Sequence, residues 1–186
     1  MQLLFQRIDR SEAEQLADWL SSDRWPFFRN PAPTREDILK RIDDGQFLGD
    51  AEEDYWIVDA AGDRIGLIEL YGILELAPMF NIRLRAAYRG RGLGPPAVRW
   101  LTRHVFESFP DKRRLESQTR EDNLAMRKVF NKCGFIKEAY YRQASPTEDG
   151  GWVASIGYGI LRDDWLSGEV TSVPWIADGF FSGDRV

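Results

Sequence analysis

The feature that most constrains the fold of this chain is a glycine-rich turn between an alternating segment and a helical segment. Residues 80–86 alternate in polarity as a β-strand does, and from Pro95 to about Phe109 apolar residues recur at helical spacing. Glycines adopt positive φ and allow close approach to the backbone, while N–H groups at a helix start attract anions. The spacing predicts a phosphate-binding turn formed by Arg89, Gly90, Arg91, Gly92, Leu93 and Gly94.

A second motif follows this turn along the chain. Residues 122–135 spell Asp-Asn-Leu-Ala-Met-Arg-Lys-Val-Phe-Asn-Lys-Cys-Gly-Phe, which predicts a helix with Asn123 as its N-cap and Gly134 at its end. Together the motifs resemble the GNAT superfamily of N-acetyltransferases, nearest to ribosomal-protein N-terminal and small-amine acetyltransferase-like members. The resemblance implies acetyl-CoA as cosubstrate and an Arg/Gln-x-x-Gly-x-Gly/Ala loop that binds its pyrophosphate.

Composition narrows the other functional classes. A length of 186 residues with 43% hydrophobic residues predicts a single domain with a sizeable core. The formal charge of −5 disfavours a nucleic-acid partner, because binding phosphate backbones requires a basic face. No apolar stretch reaches a membrane span, and the first residues lack a signal-peptide core, so we expect a cytoplasmic protein with no membrane partner. Cys133 is the only cysteine, and we expect no metal.

The order of predicted elements indicates an α/β class. The resemblance implies the GNAT fold, with a mixed central sheet of about six to seven strands and about four helices. Ser11 with Glu14 predicts a capping box for the first helix, and Thr34 is the predicted N-cap of the second. We expect an acetyltransferase domain over residues 1–165. The aromatic residues of the tail 166–186 favour packing on the domain or on a partner subunit, so a homodimer is one alternative.

The resemblance assigns the cofactor-binding residues. The pantetheine arm would lie along the third strand of the hairpin region, and the glycine-rich turn would hold the pyrophosphate. Two departures weaken the match: Pro95 and Pro96 lack N–H groups at the helix start, and Phe130 stands where many relatives have a tyrosine that protonates the leaving thiolate. Phe130 is therefore expected to be a wall residue. The implied set is Ile82, Arg83, Leu84, Arg89, Gly90, Arg91, Gly92, Leu93, Gly94, Asn123 and Phe130.

Transfer to an amine requires a base for its proton and donors for the oxyanion. Main-chain N–H groups near Leu84 can serve the oxyanion. Glu69 and Glu116 are the leading candidates for the base, directly or through water, and Glu75 is a third choice. For each glutamate, a solvated charge on a strand face is an equally good interpretation.

Aromatic residues between the first two helices are candidates for the acceptor pocket. Trp25, Phe27 and Phe28, with Glu75, suit a cationic amine or a peptide end; the alternative is a hydrophobic plug under the loop. The sequence thus predicts transfer of acetyl to a primary amine, either a small cationic amine or a peptide N-terminus, by direct attack in a ternary complex. The alternative is a non-catalytic protein that binds or senses acetyl-CoA.

Overall fold

A seven-stranded mixed sheet organises the molecule. The computed structural model describes residues 2–174, and the strands lie in the order β1-β2-β3-β4-β5-β7-β6, with only β4 and β5 parallel. The strands are β1 (Leu4–Arg7), β2 (Glu52–Val58), β3 (Arg64–Tyr71), β4 (Met79–Leu84), β5 (Arg114–Arg120), β6 (Ile136–Pro146) and β7 (Trp152–Leu161). The helices are α1 (Ala13–Ser21), α2 (Arg35–Asp43), α3 (Gly94–Ser108), α4 (Leu124–Lys132) and α5 (Arg162–Ser167).

The predicted α/β class and mixed sheet are confirmed, and two local predictions need correction. The capping box at the start of the first helical segment is formed by Asp9 and Glu12 around a short 3₁₀ turn, not by Ser11 and Glu14. Asp9 captures the Ser11 N–H at 2.9 Å, because its carboxylate precedes the first free N–H groups. Helix α5 was also missed, since six residues are too short to show helical periodicity.

Each face of the sheet covers a separate hydrophobic core. Alternate residues of one strand point to opposite faces, so Ile68 joins the core beneath α3 and α4, and Leu67 joins the core beneath α1 and α2. Trp25 belongs to the second core, where its indole N–H donates to the Leu20 carbonyl at 2.8 Å. The segment after α1 is thereby anchored against the sheet although it lacks regular structure.

Strands β4 and β5 diverge soon after they meet. Their register contains one paired position, Met79 opposite Glu116, although β4 continues for five further residues to Leu84. The neighbouring pair β3 and β4, by contrast, is matched from Tyr71 opposite Met79 to Gly66 opposite Leu84. The divergence opens a gap beside the end of β4 in the middle of the sheet.

The predicted domain boundary at residue 165 falls inside α5. Beyond that helix, Thr171 donates from its N–H and its hydroxyl to the Asp164 carboxylate, at 3.1 and 2.7 Å. The aromatic residues of the tail lie outside the described residues, so the packing of the tail stays a prediction. Over residues 2–174 we find no helix with the length and apolar character that a membrane crossing requires.

Candidate functional site

The gap beside β4 exposes main-chain groups that no strand uses. The Arg85 N–H donates to the Ile65 C=O, so the main-chain groups of odd-numbered residues in β4 bond to β3. The main-chain groups of the even-numbered residues therefore face β5. Three even-numbered carbonyls are taken: Pro78 accepts from the Glu116 N–H, Phe80 from the Ser117 hydroxyl and Leu84 from Arg89 Nε. Beyond the point of divergence, the N–H groups of Ile82 and Leu84 therefore face the gap.

This gap opens into a cavity of about 310 Å³ between the aromatic loop after α1, the glycine-rich turn and α4. Its walls bring together nine of the predicted cofactor residues and all three predicted aromatic residues. They are Ile82, Arg83, Leu84, Arg89, Gly90, Gly92, Leu93, Gly94 and Asn123, with Trp25, Phe27 and Phe28. Predicted residues from four separate segments of the chain thus converge on one site.

The glycines of the turn have different roles. Gly90 and Gly92 have φ of 75° and 77°, the left-handed region that glycine occupies without strain, and a Cβ on either would meet nothing within 4 Å. At Gly94 a Cβ would lie 2.8 Å from Val129 Cγ2 on α4. The first two glycines therefore shape an open turn, whereas Gly94 allows α3 to pack against α4.

The start of α3 offers few donors to an anion. Pro95 and Pro96 have no N–H, and the Ala97 N–H already donates to Leu93 C=O at 3.3 Å. Of the N–H groups in the first turn, only that of Gly94 is left. A phosphate there would therefore depend on the N–H groups of the preceding turn, for which the described residues supply no partner, and on positive charge nearby.

Lys128 and Lys132 of α4 also line the cavity, and the sequence reasoning missed them. With Arg83 and Arg89 they give four cationic residues and, among residues 2–174, no carboxylate in the cavity wall, in a chain of net charge −5. Lys128 and Lys132 are four residues apart, which places both on one helix face. That spacing, on the helix that Asn123 caps, is the sequence signal that could have identified them.

The predicted phosphate contact Arg89 is engaged with protein atoms. Its Nε donates to Leu84 C=O at 2.7 Å and its Nη2 to Arg24 C=O at 2.5 Å, with Asp23 at 3.8 Å. Arg89 thus connects β4 to the aromatic loop. Arg91 lies outside the cavity wall, with its guanidinium 5.3 Å from the Tyr88 ring centroid.

A second cavity of about 300 Å³ adjoins the first at Phe27 and Phe28. Arg120 lines this second cavity. It forms a bidentate ion pair with Asp122 and donates to the Pro146 C=O at 3.1 Å. Its guanidinium lies 5.7 Å from the Phe27 ring centroid. Arg24 adds an ion pair with Glu148 on the β6–β7 hairpin at 2.7 Å. The aromatic loop and this hairpin are therefore joined over the site.

Two of the three candidate bases are ion-paired in the structure. Glu69 is buried and ion-paired with Arg83, and Glu116 is paired with Arg114 at 2.7 Å, beside an Arg114–Glu138 pair. Glu75 is exposed on the loop between β3 and β4. None of the three glutamates lines either cavity.

The Glu69–Arg83 pair belongs to a buried polar row across the sheet. Asp54 lies opposite Glu69 in register, and burial raises the pKa of Asp54 to about 6. Burial also lowers the pKa of Arg83 to about 9, and its guanidinium lies 3.7 Å from the Phe28 ring centroid. The Arg83 side chain thus packs against Phe28 between the sheet and the aromatic loop.

Asn123 and Phe130 occupy opposite environments on α4. The Asn123 side chain caps the helix by accepting from the Met126 N–H at 3.2 Å, and it also lines the cavity. Phe130 is fully buried and stacks on Tyr158 with ring centroids 4.6 Å apart. The structure therefore places Phe130 in the core rather than in the cavity wall, because its ring completes an aromatic cluster with Phe80 and Phe135.

Cys133 and groups of metal-ligating side chains are the remaining features with possible chemical roles. Cys133 is half-buried, its Sγ lies 3.5 Å from Pro95 C=O, and burial raises the pKa of its thiol. Within residues 2–174, no group of three or more His, Cys, Asp and Glu residues is placed to hold a metal ion.

Comparison with known proteins places these features in a family. The family described as acetyltransferase (GNAT) domain matches residues 2–136. A search of curated proteins found no significant match.

Solved structures share the fold at low sequence identity. Spermidine N-acetyltransferase from Vibrio cholerae in complex with CoA and spermine superposes with a TM-score of 0.73 at 19% identity, covering 89% of this chain and 98% of that one. A chimera of that enzyme and hSSAT gives 0.75 at 17% identity, covering 89% and 99%. A dodecameric form of the Vibrio cholerae enzyme superposes with a TM-score of 0.71 at 18% identity, covering 90% of this chain and 98% of that one.

Proposed function

This chain belongs to the GNAT acetyltransferase family, and on that premise we propose that it transfers the acetyl group of acetyl-CoA to a primary amine. The observation that carries the proposal is the gap at β4, where the N–H groups of Ile82 and Leu84 face a cavity with four cations and no carboxylate. An extended arm that ends in phosphates fits a site with strand-edge donors at one end and positive charge at the other.

The residues present fit the cosubstrate. The N–H groups of Ile82 and Leu84 would bond to the cosubstrate as an added strand does, Ile82 to a pantetheine amide and Leu84 to the thioester carbonyl, and Asn123 would donate from its side chain. Gly90 and Gly92 leave open space at the turn where the pyrophosphate would lie. We keep Arg83, Leu93 and Gly94 in the proposed set because they complete the wall of the cavity.

The proposed reaction is a direct transfer in a ternary complex. Acetyl-CoA supplies an activated thioester, whose C–S bond breaks as the acceptor nitrogen forms the new C–N bond. The Leu84 N–H would stabilise negative charge on the carbonyl oxygen. Cys133 is unsuited to carry the acetyl group, because burial raises the pKa of its thiol and its Sγ contacts the Pro95 carbonyl.

The proton of the amine needs an acceptor, and we propose water held beside one of the candidate glutamates. Glu116 is partly exposed, so its carboxylate can exchange its arginine partner for water. Glu69 is fully enclosed with Arg83 and fits a supporting role better. Thiolate protonation would also come from water, because Phe130 has no acidic proton.

For the acceptor we propose a small cationic amine or a peptide N-terminus. Phe27 and Trp152 are 40% and 62% exposed at the second cavity, and their rings can bind a cation. The charge of Arg120 is offset by Asp122, and Glu148 lies on the adjoining hairpin. The structural neighbour that binds spermine supports the small-amine alternative.

The test is a panel of acceptors assayed for thiol release and for product mass. Spermidine, spermine, simple diamines and peptides with free N-termini are compared with the same peptides blocked at the N-terminus and with polyols. We expect acetylation of at least one free amine and none of its blocked partner. Reaction of hydroxyl compounds alone would refute the amine assignment.

A non-catalytic acetyl-CoA sensor is the second candidate. It is favoured by the arginine pairing of Glu69 and Glu116 and by the burial of Phe130. CoA binding without turnover of any amine in the panel would support this candidate over the enzyme.

Self-association and cellular location stay as proposals. A dodecameric neighbour supports assembly of this chain into a homodimer or a larger oligomer, which light scattering of the purified protein tests. We also retain the expectation of a cytoplasmic protein, which fractionation of expressing cells tests.

A further inference from the structure

Two lysines on α4 face the same cavity as the glycine-rich turn. Lys128 and Lys132 are four residues apart, hence one above the other on a helix face, and both line the cavity. Val129 lies between them in sequence, and a Cβ added to Gly94 would lie only 2.8 Å from its Cγ2. This part of α4 therefore packs directly against the start of α3. The lysines therefore border the turn from the opposite side.

The described part of the chain leaves both ammonium groups without a partner. Across residues 2–174, the Lys128 and Lys132 side chains have no ion pair and no hydrogen bond, and both residues are exposed. By contrast, Arg83 and Arg89, the other cations of the cavity wall, are engaged with Glu69 and with main-chain carbonyls. The two lysines are thus the free charges of this cavity.

The start of α3 has fewer donors for an anion than an ordinary helix N-terminus. Pro95 and Pro96 remove two N–H groups from the start of α3, and Ala97 N–H is bonded within the helix. The dipole of α3 still favours an anion there, but fewer N–H groups remain to bind one. Positive side chains beside the turn would compensate for these lost hydrogen bonds.

We propose that Lys128 and Lys132 form a subsite for the phosphate groups in the nucleotide half of CoA, and that they replace donors lost to the proline pair. The inference rests on the proposed function, since it assigns one end of the same cavity. It predicts that affinity for CoA depends on ionic strength through these two residues, because exposed charges are screened by salt.

The experiment is calorimetric titration of CoA into the wild-type protein and into the double variant Lys128→Ala, Lys132→Ala, at low salt and at about 1 M salt. We expect the double variant to bind about 10- to 100-fold more weakly at low salt, from about tenfold per charged contact. The difference should shrink to a fewfold at high salt. Lys128→Arg, Lys132→Arg should retain affinity, and Lys40→Ala on α2, outside the cavity, is the matched control.

The outcomes separate the two proposals. If the wild-type protein does not bind CoA, the proposed function fails and the subsite fails with it. If it binds CoA and the double alanine variant binds equally well, only the subsite is refuted. A loss of affinity that persists unchanged at 1 M salt would also refute it, because a structural defect, unlike a charge contact, is not screened.

Discussion

The cofactor side and the acceptor side of the cavity are built in different ways. On the cofactor side, main-chain N–H groups of β4, open glycines at the turn and two unpaired lysines face the cavity. On the acceptor side, arginine side chains are bound to other protein groups: Arg89 to the Arg24 carbonyl, Arg120 to Asp122 and the Pro146 carbonyl, and Arg24 to Glu148. One side offers free groups to a ligand, and the other uses its groups to fix the aromatic loop.

The difference has a functional consequence. Backbone donors and glycine turns keep their positions without help from distant residues, so the cofactor side is preorganised. The acceptor side depends on long-range pairs at exposed positions, which contribute little stability individually and can exchange with solvent or substrate. We therefore expect the cofactor side to keep its shape when side chains that do not contact the cosubstrate are changed, and the acceptor side to respond to the loss of single pairs.

The largest expected effect is at the buried pair beneath the acceptor side. Glu69→Gln would leave Arg83 buried without its counter-charge, and such losses cost about 3–5 kcal/mol of unfolding free energy. Urea denaturation measures the change. The matched control is Glu116→Gln, whose ion pair is part-exposed and should cost under about 1 kcal/mol. Equal stability of the two variants would show that Glu69 is not structural.

The next test removes one backbone donor from the cofactor side. Leu84→Pro deletes the N–H that faces the gap, which β3 does not use, and should lower kcat by about 10²–10³-fold, as for other oxyanion donors. Leu84→Ala removes the side chain but keeps the N–H, so its kcat should be close to wild type. If both variants fold and lose kcat equally, the side chain and not the N–H is responsible.

A third test concerns the turn itself. Gly92→Val puts a β-branched residue at φ of 77°, so the turn must change shape, and CoA affinity should fall by at least about tenfold. Gly62→Val in the β2–β3 hairpin has the same kind of strain, at φ of 92°, but lies outside the cavity. Both should lose similar stability, and only the first should lose CoA binding in a calorimetric titration.

The smallest effect distinguishes two roles for Arg89. If Arg89 links β4 to the aromatic loop, the variant Arg89→Ala should raise KM for the acceptor about tenfold, because it removes partly exposed charge-assisted hydrogen bonds. The affinity for CoA should change less. Steady-state kinetics with each substrate varied in turn separates the two. A weaker affinity for CoA at unchanged acceptor KM would restore the sequence-based role of Arg89 as a phosphate contact.

Sequence reasoning predicted the two sides of the site unequally, for physical reasons. Strand alternation, positive-φ glycines and the Asn123 cap are local properties, so β4, the turn and α4 could be placed from the chain alone. The partners of Glu69, Glu116 and Arg89 lie on other elements, and no local pattern reveals them. Trp25 shows the mixture: its loop was located correctly, but only the tertiary structure shows that its ring is buried and bonded to Leu20.

The central claim is that free main-chain groups of β4 receive the pantetheine arm of CoA. Amide hydrogen exchange with single-residue resolution, with and without CoA or acetyl-CoA, tests it most directly. We predict that CoA slows exchange at Ile82 and that acetyl-CoA slows it at both Ile82 and Leu84, while Arg83, which already bonds to β3, changes little. Bound acetyl-CoA with unchanged exchange at Ile82 and Leu84 would contradict the account.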